Sequence, residues 1–147
     1  MVDKDKFPNP IHGALKLTAY DQFGRELWEK SDHNQIVIGA YTITAEALAG
    51  VEAAKITQVA AGTNGTAPVE GDDRITDPSI VPIQTIEYPR KGVVRFNFTF
   101  GYSDAVGKSI CEFGLLTADG RLFARKVRAP IDKSKYLSIV GSWEITI

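Results

Sequence analysis

Few residues in this 147-residue sequence have the types and spacing that chemistry requires. The two histidines, His12 and His33, lie far apart in the chain, and the single cysteine, Cys111, stands in an apolar run. Zinc ligands come in closely spaced pairs, so this spacing predicts no metal centre. Ser31, Asp32 and His33 are the residue types of a hydrolase triad, but adjacent side chains cannot face one common point. We therefore predict no triad here, and we expect Cys111 to be a small buried hydrophobe.

Two further stretches have the composition of ligand loops but not the pattern. The sequence GTNGT, residues 62–66, is glycine-rich yet lacks the Gly-Lys-Ser/Thr ending of a phosphate-binding loop. The sequence EGDDRITD, residues 70–77, carries four carboxylates, but not at the spacing of a calcium-binding loop. We therefore predict that the protein needs no cofactor and is not an enzyme.

The long segment over residues 62–77 is expected to act through its mobility instead. Its glycines and prolines oppose regular strand pairing, and long loops in compact domains tend to be functional or mobile. We expect it to move in the free protein and to become ordered against a neighbour. The residues taken to mark this loop are Gly62, Asn64, Gly65, Asp72 and Asp73.

The overall composition limits the classes of partner. With 44% hydrophobic and 24% charged residues, the chain has the composition of a soluble globular protein. Its net charge of -1 gives no reason to expect nucleic acid or an anionic membrane as partner. No apolar run is long enough for a membrane helix, and the first residues show no secretory signal, so we expect cytoplasmic synthesis and no membrane insertion. The length suits a flexible arm over residues 1–12 and a single domain over residues 13–147.

Period-two alternation dominates the chain and predicts a mainly β fold. Leu15, Leu17 and Ala19 share one face of a strand that the turn DQFG connects to a returning strand. Residues 94–100 alternate apolar and polar side chains, and Asp119-Gly120 is a favoured pair for a tight hairpin turn over residues 110–126. The side chains predicted to form the core are Phe96, Phe98, Leu115, Phe123 and Trp143.

One segment changes period and predicts a helix. Apolar residues from Ile36 to Leu48 fall at helical spacing, residues 31, 32 or 34 supply possible caps, and Gly50 is placed to end the helix. We therefore expect a helix over residues 36–49. With about seven or eight short strands, the predicted architecture is an antiparallel β-sandwich or open barrel with this helix packed on one side.

Five segments taken in order carry a resemblance to a known family. They are NQIVIGAYTITAEALAG, ITQVAAGTNGTAP, VVRFNFTF, ICEFGLLTADGRLFAR and SWEITI. In this order the chain resembles the N-terminal domain of bacteriophage tail-fibre (tail-collar fibre) proteins and related prophage tail proteins, over about residues 34–147. The resemblance departs from the family where a hairpin precedes the helix and where no repetitive shaft follows residue 147. In this context Glu112 and Gly114 are expected to shape a packing surface.

The resemblance implies a structural component of a phage tail or baseplate. It further implies a homo-oligomer that meets other tail or baseplate proteins in the virion tail. The last strand, with Trp143, Ile145 and Ile147 on one face, is expected to form the assembly surface together with strand edges. The alternative is a carbohydrate- or ligand-binding β-sandwich module, which would use exposed aromatic residues, with Tyr88, Tyr102 and Tyr136 as candidates. A small β-barrel enzyme would need His33 or Glu112 in a pocket, which the sequence does not indicate.

Overall fold

The computed structural model describes residues 11–147, which form an antiparallel β-sandwich with one α-helix, as the sequence predicts. The strands are β1 (His12–Tyr20), β2 (Glu26–His33), β3 (Gln35–Ile36), β4 (Ile56–Gly62), β5 (Ser79–Pro82), β6 (Thr85–Glu87), β7 (Val93–Phe100), β8 (Ser109–Thr117), β9 (Leu122–Asp132) and β10 (Ser138–Thr146). Sheet A has the strand order β2-β1-β10-β7-β6 and sheet B the order β3-β9-β8-β4-β5. Helix α1 spans Gly39–Leu48, and a 3₁₀ turn follows at Glu52–Ala54.

The domain begins slightly earlier than expected. Ile11 is buried and His12 already pairs with Thr146, so these two residues belong to the domain and not to an arm. The remainder of the expected arm, residues 1–10, lies outside the described residues.

The core lies between the two sheets, where the alternating strands direct their apolar side chains. Every residue predicted for the core is buried: Phe96, Phe98, Leu115, Phe123 and Trp143. The rings of Phe98 and Phe100 meet edge to face with centroids 6.0 Å apart, and Phe100 meets Phe113 of sheet B in the same way at 5.9 Å. Such edge-to-face contacts match the positive edge of one ring to the negative face of the next, and here they tie the two sheets together.

The predicted hairpins are present. Strands β1 and β2 pair across a turn in which Asp21 Oδ1 accepts hydrogen bonds from the Phe23 and Arg25 amides. Strands β8 and β9 pair around Asp119-Gly120, although only Gly120, at φ +83°, has a positive φ. Glycine supplies that conformation because it has no Cβ to clash.

The predicted helix begins later than expected. Gln35 and Ile36 form the short strand β3, paired with Arg125 and Ala124, and α1 starts only at Gly39. The β-branched residues Ile36 and Val37 favour extended backbone over helix, and the pairing of Ile36 with Ala124 adds to this preference, whereas Ile38 already has helical backbone angles. Within the described part of the chain no side chain caps the helix start, so the expected capping role of Ser31, Asp32 and Asn34 is wrong. The predicted end at Gly50 is confirmed, since Gly50 has φ +83° and its amide donates to Ala47 O.

Two of the connections between the sheets are short and lie at the edges of the sandwich. Strand β5 pairs in sheet B and β6 in sheet A, with only two residues between them. Those two residues keep the pairing continuous, because Ile83 N donates to Thr57 O and Gln84 N to Asn97 O. On the opposite side β2 of sheet A leads through Asn34 into β3 of sheet B.

Candidate assembly surface

The long loop between β4 and β5 is attached to the core by a buried carboxylate. Glu112 of β8 has no exposed surface. Its Oε2 accepts hydrogen bonds from the Asn64 amide at 2.8 Å and the Thr76 amide at 3.0 Å, one near each end of the loop. Its Oε1 accepts from Arg125 Nε at 2.9 Å. One side chain thus holds both ends of the loop against sheet B.

The guanidinium of Arg125, on the neighbouring strand β9, completes this anchor. The residue is 2% exposed, and the remaining hydrogen bonds of its guanidinium all enter the loop. Nη2 donates to Asn64 O, while Nη1 donates to Thr66 O and to Asp72 Oδ2, each at 3.0 Å. A buried charge of this kind is tolerated only when it is paired and hydrogen-bonded, and here both conditions hold. We call Glu112, Arg125 and Asp72 the loop anchor.

Two glycines allow the loop to lie this close to sheet B. A Cβ at Gly62 would lie 2.6 Å from Thr76 O and 2.7 Å from Glu112 Oε2. A Cβ at Gly114 would lie 2.7 Å from Cδ1 of Ile75, the buried apolar residue of the loop. Gly114 therefore does shape a packing surface, because its missing side chain makes room for Ile75.

The loop residues marked in the sequence divide into two groups. Gly62, Asn64 and Asp72 lie at the loop anchor, whereas Gly65 and Asp73 are exposed and Asp73 pairs with Arg74 at 3.1 Å. Mobility of the exposed part stays a prediction, while the anchor opposes it at Asn64 and Asp72. Sequence reasoning missed Arg125, because it is one of three basic residues in β9, beside Lys126 and close to Arg128. Glu112, by contrast, is a single charge inside the apolar run of β8.

The first and last segments of the family resemblance also meet in the structure. Trp143 Nε1 donates to Asn34 Oδ1 at 2.9 Å, and the Asn34 amide N donates to Gly13 O. Asn34 is the linker between β2 and β3, so this contact fixes the point where the chain changes sheets. A Cβ at Gly13 would collide with the Asn34 side chain, which explains the small residue there.

The tip of the β8–β9 hairpin serves as a docking point for the helical segment. Arg121 binds Glu46 of α1 with both terminal nitrogens, at 2.9 and 3.1 Å. Ala118 N donates to Lys55 O, next to the 3₁₀ turn. Thr117 and Asp119 hydrogen-bond within the turn, which lowers the pKa of Asp119 below its usual value, with Arg121 adding to the effect. These contacts therefore fix the shape of the hairpin tip and hold it against the helical segment.

The predicted assembly surface on the last strand needs a correction. Strand β10 lies in the middle of sheet A, with β1 on one side and β7 on the other, so it offers no free edge. Trp143 and Ile145 are buried inside the chain's own core, and of the three predicted residues only Ile147 is exposed, at 68%. Period two places these side chains on one face, but that face is the inner face of the sheet.

The outer face of α1 presents several exposed apolar side chains. Ile38 and Leu48 are 63% and 87% exposed, and Tyr41 lies between them at helical spacing on the same face. The only charged residue of α1 is Glu46, which Arg121 neutralises. Two exposed valines extend this apolar area. Val51 lies beyond the helix end. Val69 lies next to Glu70, whose carbonyl accepts a hydrogen bond from Ile38 N. We call this area the α1 face.

The residue types that could do chemistry do not converge. His12 and His33 are exposed strand residues, and Cys111 is partly exposed, so the expected burial of Cys111 is wrong. Within residues 11–147 no group of three His, Cys, Asp or Glu side chains is arranged to hold a metal ion. In the same part of the chain no helix has the length and apolar character needed to cross a membrane.

The three candidate tyrosines do not form one platform. Tyr102 and Tyr136 lie in two loops at the same end of the sandwich. Buried Lys133 links these loops, because its Nζ donates hydrogen bonds to Gly101 O and Ser134 O. Tyr88 follows β6, at the opposite end of sheet A.

Comparisons with protein-family models, with curated proteins and with solved structures found no match to this chain.

Proposed function

We propose that this chain is a structural component of a phage or prophage tail or baseplate, which acts by protein–protein assembly and not by catalysis. The proposal rests on the ordered resemblance of five sequence segments to tail-fibre N-terminal domains. The contacts of those segments support it, because Asn34, Glu112, Gly114 and Trp143 all serve the internal architecture. Residues used in this way suit a rigid building block. Its expected place is the virion tail, after synthesis in the cytoplasm of a bacterial host.

The observation that carries the assembly step is the α1 face. It presents exposed apolar side chains with no unneutralised charge on the helix itself. Contiguous apolar patches on a folded domain mark sites of association. The partners we propose are further copies of this chain and other tail or baseplate proteins, with the α1 face replacing the last strand as the contact surface.

A double variant, Ile38→Asp with Leu48→Lys, tests this surface without weakening the helix. Aspartate at the start and lysine in the last turn both complement the helix dipole, and Ile38 provides no side-chain cap at present. The variant should stay folded by circular dichroism but lose self-association in sedimentation runs, and lose co-purification with co-expressed products of neighbouring genes. Val106→Lys is the control, because it changes an exposed apolar residue in the loop between β7 and β8. It should leave self-association and co-purification unchanged.

Two results would count against the proposal. A wild-type chain that stays monomeric at high concentration and retains no tail or baseplate protein would remove the assembly function. Equal association of the double variant and the wild type would remove the α1 face from it.

The runner-up is a carbohydrate-binding module, and one observation favours it. Tyr102 and Tyr136 are both exposed on linked loops, and Tyr102 is held in place because its hydroxyl donates to Asp21 O at 2.6 Å. Sugars stack on ordered aromatic rings. Two results together would favour this function over assembly. The chain would have to remain unassembled, and it would have to show saturable glycan binding that Tyr136→Ala abolishes.

A further inference from the structure

A groove of about 140 Å³ lies between sheet A and the edge of sheet B. It exists because β3 pairs with only Ala124 and Arg125, so the later residues of β9 have no strand beside them on that edge. Side chains of β2 lean across this gap. Lys126 Nζ contacts Asp32 Oδ2 at 2.7 Å at one point, and the Arg128 guanidinium lies over the Trp28 ring, 4.5 Å from its centroid, at another. Lys30 lies between these two contacts along β2.

The groove has an excess of positive charge over an apolar floor. Its lining includes the cations Lys30, Lys126 and Arg128 but only one carboxylate, that of Asp32. Buried Leu15 and Leu17 form part of the floor. Among residues 11–147, the ammonium group of Lys30 has neither an ion pair nor a hydrogen-bond partner. Arg128 uses Nε on Ala129 O, and it contacts Trp28 rather than a carboxylate.

The charge of Arg128 is also incompletely compensated. Burial alone lowers the pKa of Arg128 below its usual value, with no opposing contribution from a carboxylate. Arg121 differs in this respect, since Glu46 and Asp119 raise its pKa. An anion that entered the groove would therefore meet two cations that no carboxylate of the described chain neutralises.

We propose that this groove binds the oxyanion group of a small ligand, either the carboxylate of an acidic sugar or a phosphate. The volume is enough for one charged group, and the lining supplies lysine and arginine donors for charge-assisted hydrogen bonds. This inference does not depend on the assembly function, because the groove lies between β2 and β9 and not on the α1 face.

The test is a titration of the ¹⁵N-labelled chain, followed by NMR, with inorganic phosphate, with glucuronate and with uncharged glucose. Saturable shifts should concentrate on Lys30, Lys126 and Ala129 for the anions and be absent for glucose. Tighter binding of glucuronate than of phosphate would identify the ligand as an acidic sugar, and the reverse order as a phosphate. Equal shifts with glucose, or no saturation with either anion, would overturn the proposal.

Variants of opposite sign sharpen this test. Lys30→Met keeps the aliphatic stem and should weaken anion binding by about fivefold or more, since it removes a charged donor. Lys91→Met, an exposed lysine in the turn on the far side of sheet A, should leave binding unchanged. Asp32→Asn removes the opposing carboxylate and should strengthen binding. A chain in which Lys91→Met weakens binding as much as Lys30→Met, or in which Asp32→Asn weakens it, would refute a defined site.

Discussion

Replacing Arg125 by methionine should destabilise the domain by about 3–5 kcal/mol, the usual loss when one partner of a buried ion pair is removed. Methionine retains the apolar stem but not the guanidinium. The Glu112 carboxylate would then stay buried with only the amides of Asn64 and Thr76 as donors. The carbonyls of Asn64 and Thr66 would lose their donors as well. Natural domains have free energies of unfolding of about 5–15 kcal/mol, so the variant should remain folded but only marginally.

A double-mutant cycle with Glu112→Gln separates the free energy of the Arg125–Glu112 interaction from a general loss of core stability. Glu112→Gln alone should cost a similar amount, because the buried Arg125 charge would then have only the partly exposed carboxylate of Asp72. The double variant contains neither charge, so it should be destabilised by less than the sum, with a coupling free energy of about 2 kcal/mol or more.

Urea unfolding at neutral pH gives the free energies, and amide hydrogen exchange over residues 63–78 reports the loop directly. Both single variants should speed exchange at Asn64 and Thr76 more than in β7, which does not contact the loop anchor. Single-variant losses below about 1 kcal/mol, or a coupling free energy near zero, would refute the idea that this pair holds the loop.

Two further predictions concern the core and the hairpin tip. Phe98→Ala should cost about 3–5 kcal/mol in urea unfolding, because the ring is fully buried, lies against Gly141 and would leave a cavity. A loss below about 1 kcal/mol would show that the ring is not core. Asp119 has its pKa lowered below its usual 3.8 by Thr117 and Arg121, so its contribution to stability is present above that pH and is lost as the pH falls through the lower folded-state value. Asp119→Asn should therefore flatten the acid side of the stability profile, and an unchanged profile below about pH 4 would contradict this.

Local patterns were sufficient for the parts of the fold that local physics decides. The alternation in β1 and β7 predicted which side chains are buried, and the turns at Asp21 and Gly120 predicted two hairpins. The helix end at Gly50 was equally local, since it depends on one residue with positive φ.

The parts that sequence could not predict depend on contacts between distant strands. Period two places Trp143 and Ile145 on one face but cannot tell whether β10 lies at an edge or in the centre of a sheet. The helix start moved because pairing of Ile36 with Ala124 competes with helical backbone. The loop anchor joins Asn64 to residues of two later strands, and its sequence signal was only Glu112, a single charge inside an apolar run.

The strand order of sheet A also determines when this protein can fold during synthesis. Sheet B draws on residues 35–132 and can pair before the last strand has left the ribosome. In sheet A, β1 lies between β2 and β10. The edge of β1 that faces β10 therefore stays unpaired until residues 138–146 leave the ribosome, because His12, for example, pairs with Thr146. A chain that closes its first strand against its last has a high contact order, which places folding in the range of milliseconds to seconds. A nascent chain stalled before β10 would therefore expose Leu15, Leu17 and the phenylalanine face of β7 to chaperones.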